Sequence, residues 1–360
     1  MDFKHFDAVI DARTPAEYAL DHIPGAVSAP VLEDAQRVEV GTLYKQVSPF
    51  EAKKLGAALI AQNVARHIET LFRGKEKAWR PLVYCWRGGK RSGAMAHILR
   101  EVGWDASTLE GGYRAYRRWV VEQLATLPLE MELIVVHGPT GSGKSRFLAA
   151  LRRAGAQVLD LEGLAAHRGS VLGGLPGERQ PSQKWFESQL LAALEKSDRL
   201  RAVYVEGESK KIGGIQVPEA LMARMRASRC VILETDLPTR VTLLLDEYRH
   251  FLEDRRALDA QLDCLIDLHG RERIGEWKAL AAAGKWREFV ERLLVQHYDP
   301  AYRRSSMQNY PQLIEAPSVR IVSAENSAFD EAAKKITELN SGVEAGEHAD
   351  VLHGTAAKRA

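Results

Sequence analysis

Cysteine is scarce in this chain: among 360 residues only Cys85, Cys230 and Cys264 occur, odd in number and far apart. Such spacing excludes a disulfide framework and a cysteine-based metal cluster, and leads us to expect a reducing, cytoplasmic setting. No uninterrupted apolar run approaches the ~20 residues of a membrane helix. The opening stretch Met1-Asp2-Phe3-Lys4-His5-Phe6-Asp7 lacks the apolar core of a secretory leader, so no membrane partner is expected. Charge of one sign is missing too: 50 basic against 48 acidic residues leave +2, which by itself announces no nucleic-acid binder. The 45% hydrophobic and 27% charged fractions exclude disorder, collagen and coiled coil. At this length about two domains are expected.

Alternating strands and helices give two α/β blocks, each with a mainly parallel sheet. In the first, over residues 5–122, strands are expected at Ala8–Asp11, Pro81–Tyr84 and Ala106–Leu109. A helix carries Met95, Ile98, Leu99 and Val102 on one face and stops at Gly103. The second block, over 131–340, opens with the strand Leu133-Ile134-Val135-Val136. Further strands are expected at Gln157–Leu161, Ala202–Glu206 and Cys230–Glu234, then a helical C-terminal region from Asp236 to about Gln308. Its expected core includes Leu243, Leu244, Leu245, Leu262, Leu265, Leu293 and Leu294. The boundary falls near Leu124–Glu130, where Pro128 interrupts a helix. Residues 341–360, rich in Gly, Ala and His without periodicity, read as a disordered tail.

Between a buried strand and a helix start lies Cys85-Trp86-Arg87-Gly88-Gly89-Lys90-Arg91-Ser92. A loop that turns into a helix points successive backbone N–H groups inward, a nest for an anion that favours the thiolate of a cysteine at its rim. Arg87, Lys90 and Arg91 add positive charge, so the thiol reads as a nucleophile for covalent catalysis. Cys230 and Cys264 stand among apolar neighbours and read as inert core residues.

Gly138-Pro139-Thr140-Gly141-Ser142-Gly143-Lys144-Ser145 matches G-x-x-x-x-G-K-[ST] between a strand and a helix, the setting that makes the motif specific. Its amides would wrap phosphates, Lys144 would reach terminal oxygens, and Ser145 would hold Mg²⁺. Asp160 and Glu206 end strands; each reads equally as a supporting acid or as a loop cap. Residues 71–120 hold eleven basic against four acidic residues with Trp79, Trp86, Trp104 and Trp119, which suits RNA or a basic face over a tryptophan core.

The first block resembles the rhodanese family over residues 5–122. The likeness rests on Asp11-Ala12-Arg13, Glu17-Tyr18, Asp21-His22-Ile23-Pro24-Gly25-Ala26, the Cys85 loop and Glu110-Gly111-Gly112-Tyr113. It implies a chalcogen carried on Cys85, with Asp11, Arg13 and His22 as structural residues. Arg91 follows Cys85 in a C-x5-R spacing, similar to rhodanese-like phosphatases and arsenate reductases. Joined to a P-loop NTPase-like domain, and with Asp160-Leu161-Glu162, His167-Arg168-Gly169-Ser170 and the run Glu206–Gly213, the chain resembles the tRNA 2-selenouridine synthase family.

That resemblance implies a selenotransferase with geranyltransferase activity. A 2-thiouridine at the tRNA wobble position is S-geranylated from geranyl diphosphate, and selenium from selenophosphate then replaces the S-geranyl group. Cys85 would be an S-selanylcysteine intermediate held by Arg87, Lys90 and Arg91, and the P-loop would grip the prenyl diphosphate. Three alternatives stand beside it: a sulfurtransferase with a kinase-like P-loop domain, an oxyanion phosphatase or reductase, and a non-catalytic nucleotide sensor.

Overall fold

The structure, a computed structural model, describes residues 1–170, 173–174, 177, 179–249 and 254–338, the side chains of 305–307 excepted. The expected tail at 341–360 lies outside the described residues. The chain forms two compact units: Met1–Thr126 with Pro181–Ala192, and Leu127–Gln180 with Ala193–Ala360. The segment 181–192, expected in the second block, belongs to the first unit. Among the described residues no helix is long and apolar enough to cross a membrane.

In the first unit four parallel strands pair in the order β2-β1-β3-β4: β1 (Ala8–Asp11), β2 (Val27–Ser28), β3 (Pro81–Tyr84) and β4 (Ser107–Thr108). All four residues of β3 are buried, as its continuous apolar run requires. The short helix α1 (Pro15–Leu20) starts in a capping box, with Glu17 N–H on Thr14 Oγ1 and Thr14 N–H on the Glu17 carboxylate. Two helices not drawn from the sequence, α2 (Asp34–Gln46) and α3 (Pro49–Glu69), follow. Helix α4 (Lys90–Val102) buries Met95, Ala96 and Leu99 against Ile10, Val64 and Val83 and ends at Gly103. Trp79 and Trp104 meet edge to face at 5.1 Å in this core, whereas Trp86 is exposed. Of the four tryptophans of the basic stretch, Trp79 and Trp104 are buried, Trp119 is half-buried and Trp86 is exposed, so they do not form one stacking surface. Helix α5 (Gly112–Thr126) closes the first contiguous stretch.

The second unit holds five parallel strands in the order β11-β10-β5-β7-β6. These are β5 (Leu133–His137), β6 (Gln157–Leu159), β7 (Val203–Glu206), β10 (Arg229–Thr235) and β11 (Ser318–Ile321), with a separate hairpin of β8 (Lys211–Ile212) and β9 (Ile215–Gln216). The edge strand β11 and the hairpin had no clear sequence signal, being two to four residues long. Helix α6 (Lys144–Arg153) buries Phe147, Leu148 and Leu151 on Ile134, Val136 and Leu233, joined by Phe329 and Ile336 from the helical residues 326–338. Helices α7 (Leu161–Ala165), α9 (Glu219–Arg226) and α10 (Leu237–Glu247) follow β6, β9 and β10 in turn, while α8 (Gln183–Lys196) lies mostly in the segment 181–192 of the first unit. A helical cluster from α10 onward packs Leu244, Leu258, Leu262, Trp277, Phe289 and Leu293 together. Of the expected leucines only Leu245 is half-buried; the rest are buried.

Candidate functional sites

Cys85 follows β3 directly and is 3% exposed at the mouth of a tight loop. Its Sγ accepts a hydrogen bond from Ser92 Oγ at 3.2 Å. Burial pushes the thiol up, but the Ser92 hydroxyl and the amides of Ser92, Gly89 and Arg87 outweigh it and hold the thiol below its ordinary value. The loop therefore favours thiolate through fixed dipoles. Cys230 is pushed up to about 11 by burial, which outweighs a hydrogen bond from the Gln312 side chain. Cys264 corrects the sequence reading: it is exposed at the end of the helix Arg255–Asp263, because the buried face there is carried by Leu258 and Leu262.

The glycines of the 110–113 motif form the back of this loop. Tyr113 N–H donates to Cys85 O at 2.8 Å and Arg114 N–H to Trp86 O at 3.1 Å. Gly112 sits at φ +56°, and a Cβ there would lie 2.3 Å from Cys85 O and 2.4 Å from Gly88 N. Only glycine satisfies both the left-handed backbone and the close approach.

The three cations divide. Arg87 and Lys90 are exposed beside the nest. Arg91 instead donates to Glu17 at 2.6 and 3.3 Å, so its charge is met by a carboxylate rather than left open to an incoming anion. Burial raises the Glu17 pKa, but Arg91 and the Thr14 amide bring it below the usual range. Glu17 thus caps α1, as the Thr14-x-x-Glu17 spacing announces, and tethers the start of α4, which no local signal announces.

Asp11 and Arg13 form a fully buried pair at 2.6 Å, completed by Tyr84 OH on Asp11 and by Arg13 on Asp21 O. His22 stacks on Tyr18 at 3.8 Å and on Trp185 at 4.0 Å, with Nδ1 on Tyr18 O. These residues hold turns. Arg117 meets Glu187, Ser188 and Asp21, while Arg114 and Arg118 are exposed.

In the second unit Gly138–Ser145 joins β5 to α6. Gly143 adopts φ +84°, and a Cβ there would lie 2.6 Å from the Phe329 ring. The loop is tied from outside: Arg240, 5% exposed, donates to Thr140 O at 2.8 and 2.9 Å and pairs with Asp299 at 2.6 Å. Thr235 Oγ1 donates to Ser142 O. Lys144 Nζ donates to Gly138 O at 3.0 Å, curled across the loop. Gly138, Thr140, Gly141, Gly143, Lys144 and Ser145 line a cleft of about 440 Å³, whose other walls include Glu162, Arg168, Glu208 and Tyr248. Ser142 points inward and is buried.

The supporting acids are arranged differently from their sequence positions. Asp160 caps α7, its Oδ1 accepting from Gly163 N–H. Glu206 is fully buried, accepts from Glu162 N–H at 2.6 Å, and is held well above the carboxylate range by burial and by Asp160 and Glu162. The carboxylate beside Ser145 is Glu162, which accepts from its hydroxyl at 2.9 Å. Glu208, hydrogen-bonded to Glu162, is raised by burial and by the Glu162 charge, against the pull of Lys144. Side-chain direction at the strand ends decided this, which residue spacing does not encode.

A second, apolar pocket of about 50 Å³ adjoins the cleft. It shares Thr140, Leu244, Tyr248 and Tyr298 with the cleft and continues among Leu258, Trp286, Phe289 and Leu293.

Residues 1–118 match the family model of the rhodanese-like domain, and 131–263 match that of the tRNA 2-selenouridine synthase AAA domain. A protein named tRNA 2-selenouridine synthase from Shewanella halifaxensis is 33% identical over 324 residues, 82% of this chain and 87% of its own length. Proteins of the same name from Nitrosomonas europaea and Bdellovibrio bacteriovorus are 36% and 38% identical, each over 67% of this chain. The matches span 63% and 64% of those two relatives.

Proposed function

Because the chain belongs to the tRNA 2-selenouridine synthase family, we propose that it exchanges sulfur for selenium in a tRNA wobble 2-thiouridine through an S-geranyl intermediate. In the first step the thiocarbonyl sulfur attacks C1 of geranyl diphosphate. The C1–O bond breaks, and the N3 proton of the base leaves with the diphosphate. In the second, water takes the phosphoryl group of selenophosphate as phosphate while its selenium is loaded on Cys85; delivered from there as selenide, the selenium adds at C2 and geranylthiol departs. Alkylation makes sense chemically, since it turns a poor leaving group into a good one.

One observation carries this reading: the apolar pocket that opens beside the phosphate loop and shares Thr140, Leu244, Tyr248 and Tyr298 with it. A diphosphate with a hydrocarbon tail matches that pairing of phosphate nest and apolar wall better than a polar nucleotide does. Apart from Thr140, every residue lining the pocket is aliphatic or aromatic, Trp286 and Phe289 among them.

Diphosphate departure needs charge neutralisation. Lys144 and the loop amides supply part of it. Ser145, Glu162 and Glu208 are crowded oxygen ligands that fit Mg²⁺, which takes few carboxylates and keeps water and phosphate oxygens. Among the described residues no group of three His, Cys, Asp or Glu is placed to hold a metal without such help. Bound there, Mg²⁺ would offset charge on the leaving diphosphate.

In the first unit the Cys85 thiolate is the selenium carrier, with Arg87, Lys90 and the loop amides facing the anionic donor. Carriage as a selenylsulfide removes two electrons on loading and returns them on delivery, so a thiol–disulfide couple has to accompany it; the net exchange is redox-neutral.

Nucleoside mass spectrometry of tRNA from cells grown with selenite tests the division of labour. Cys85→Ser is expected to abolish 2-selenouridine while geranylated 2-thiouridine accumulates. Lys144→Ala is expected to stop geranylation first. Equal loss of both steps in Cys85→Ser, with tRNA binding and fold intact, refutes the assignment.

A further inference from the structure

The phosphate cleft contains polar atoms that the protein itself leaves without partners. His137, the last residue of β5, is 2% exposed, and neither ring nitrogen has a hydrogen-bond partner. Its ring stands edge-on to Tyr310, centroids 4.3 Å apart, and the Tyr310 hydroxyl, in a residue 4% exposed, is likewise unpartnered. Arg226, at the end of α9, adds a buried Nε–H without an acceptor. All three line the same cleft as Lys144. Gly207, the residue after β7, leaves the space the imidazole occupies; a Cβ there would lie 2.6 Å from His137 Cε1.

Buried polar groups are almost always paired, and three from separate elements converging unpaired on one cavity point to a ligand. Its chemistry follows from theirs. Burial and the charge of Lys144 hold His137 neutral, down to about 3, so it presents one N–H and one bare nitrogen. Arg226 offers a donor and Tyr310 a hydroxyl. Together they suit an uncharged planar ring with an N–H beside a carbonyl. A further phosphate, which offers only acceptors, would leave the bare imidazole nitrogen unmet.

We propose that His137, Arg226 and Tyr310 form a subsite that reads the N3–H and O4 edge of the target 2-thiouracil, presenting its sulfur toward a diphosphate on the neighbouring loop. This rests on the function proposed above. It makes the three residues positioning and specificity residues: the bare imidazole nitrogen accepts from N3–H, and Arg226 and Tyr310 donate to O4. A purine base of a nucleotide on the P-loop is the competing occupant.

The test uses the full chain with two anticodon stem-loop RNAs, one carrying 2-thiouridine and the other N3-methyl-2-thiouridine, with binding read by fluorescence anisotropy. Geranyl diphosphate and ATP affinities are measured in parallel by calorimetry. The wild-type protein is expected to prefer the unmethylated RNA by about tenfold, the scale of one buried hydrogen bond lost to an unpaired partner. Tyr310→Phe, which removes one oxygen, is expected to weaken 2-thiouridine RNA about tenfold. It should leave geranyl diphosphate nearly unchanged and weaken the methylated RNA as well, since both RNAs keep O4. His137→Phe, checked by thermal melting, should abolish the preference. Equal wild-type binding of the two RNAs, or of neither, overturns the subsite. So does a Tyr310→Phe effect confined to ATP. Geranyl transfer to the RNA is assayed separately: its absence with discrimination intact sinks the proposed chemistry while leaving the subsite standing.

Discussion

Replacing Ser92 by Ala isolates the hydroxyl that faces the Cys85 sulfur. Ser92 is fully buried and Cys85 is 3% exposed, so no water stands ready to replace the lost donor. The Ser92 Oγ to Cys85 Sγ separation is 3.2 Å, and the amides of Ser92, Gly89 and Arg87 remain in the variant. A hydrogen bond to a charged group is worth about 1.5–3 kcal/mol, equivalent to roughly a ten- to hundredfold change in the thiolate-to-thiol ratio. The amides should preserve part of the stabilisation, which favours the lower end. The assay is an ultraviolet thiolate titration in a Cys264→Ser background, where the remaining buried Cys230 titrates only near its raised value of about 11. It reads ionisation directly, without the loss of nucleophilicity that accompanies a more acidic thiol. We expect the Cys85 transition to move to higher pH and its thiolate-to-thiol ratio to fall about tenfold. An unmoved transition in a folded variant would refute the view that this hydroxyl helps set the thiol's acidity.

Three further outcomes are expected. Gly112→Ala should destabilise the first unit by more than about 3 kcal/mol, seen by denaturant unfolding, because the new Cβ lies 2.3 Å from Cys85 O at a left-handed φ. Glu17→Gln should cost about 1–2 kcal/mol at pH 7, since it breaks the 2.6 Å contact to a largely covered Arg91. Glu17 titrates below its ordinary value in the folded state, so its contribution is fully present above the unfolded pKa and is lost as pH falls through the folded one. The stability gap between wild type and Glu17→Gln should therefore close in acid; a gap that widens there contradicts the pairing. Arg240→Ala removes both donors to Thr140 O and strands Asp299, which should lower stability by about 3 kcal/mol and weaken diphosphate binding together. Unchanged diphosphate affinity would show that the loop holds its shape without that tether.

Both glycine-rich loops were legible in the sequence because each is local. A strand, a glycine-rich turn and a helix start stand within a dozen residues, and backbone N–H groups make the nest wherever that succession occurs. The buried strand before Cys85, the P-loop before α6 and the stop at Gly103 are all of this kind. Partners of side chains are not. Arg91 reads as a free cation beside the thiol until folding brings Glu17 to it from 74 residues away. Asp160 and Glu206 carry the acids that strand ends advertise, yet Glu162 reaches Ser145, because Asp160 turns back to cap α7 and Glu206 is buried on the Glu162 amide.

Cys264 reads as core by its neighbours but lies on the exposed side of a helix whose leucines face inward. Residues 181–192 follow the phosphate loop in sequence and pack with the first unit, where Trp185 stacks on His22 and Ser188 bonds Asp21. The meeting of His137 with Tyr310 joins residues far apart in the chain and leaves no local pattern. The sequence by itself determined where phosphate and thiolate chemistry can occur, since backbone dipoles follow from local conformation. Tertiary structure alone decided which charges stay unpaired there, because pairing is settled by long-range packing and by what burial makes costly to leave alone.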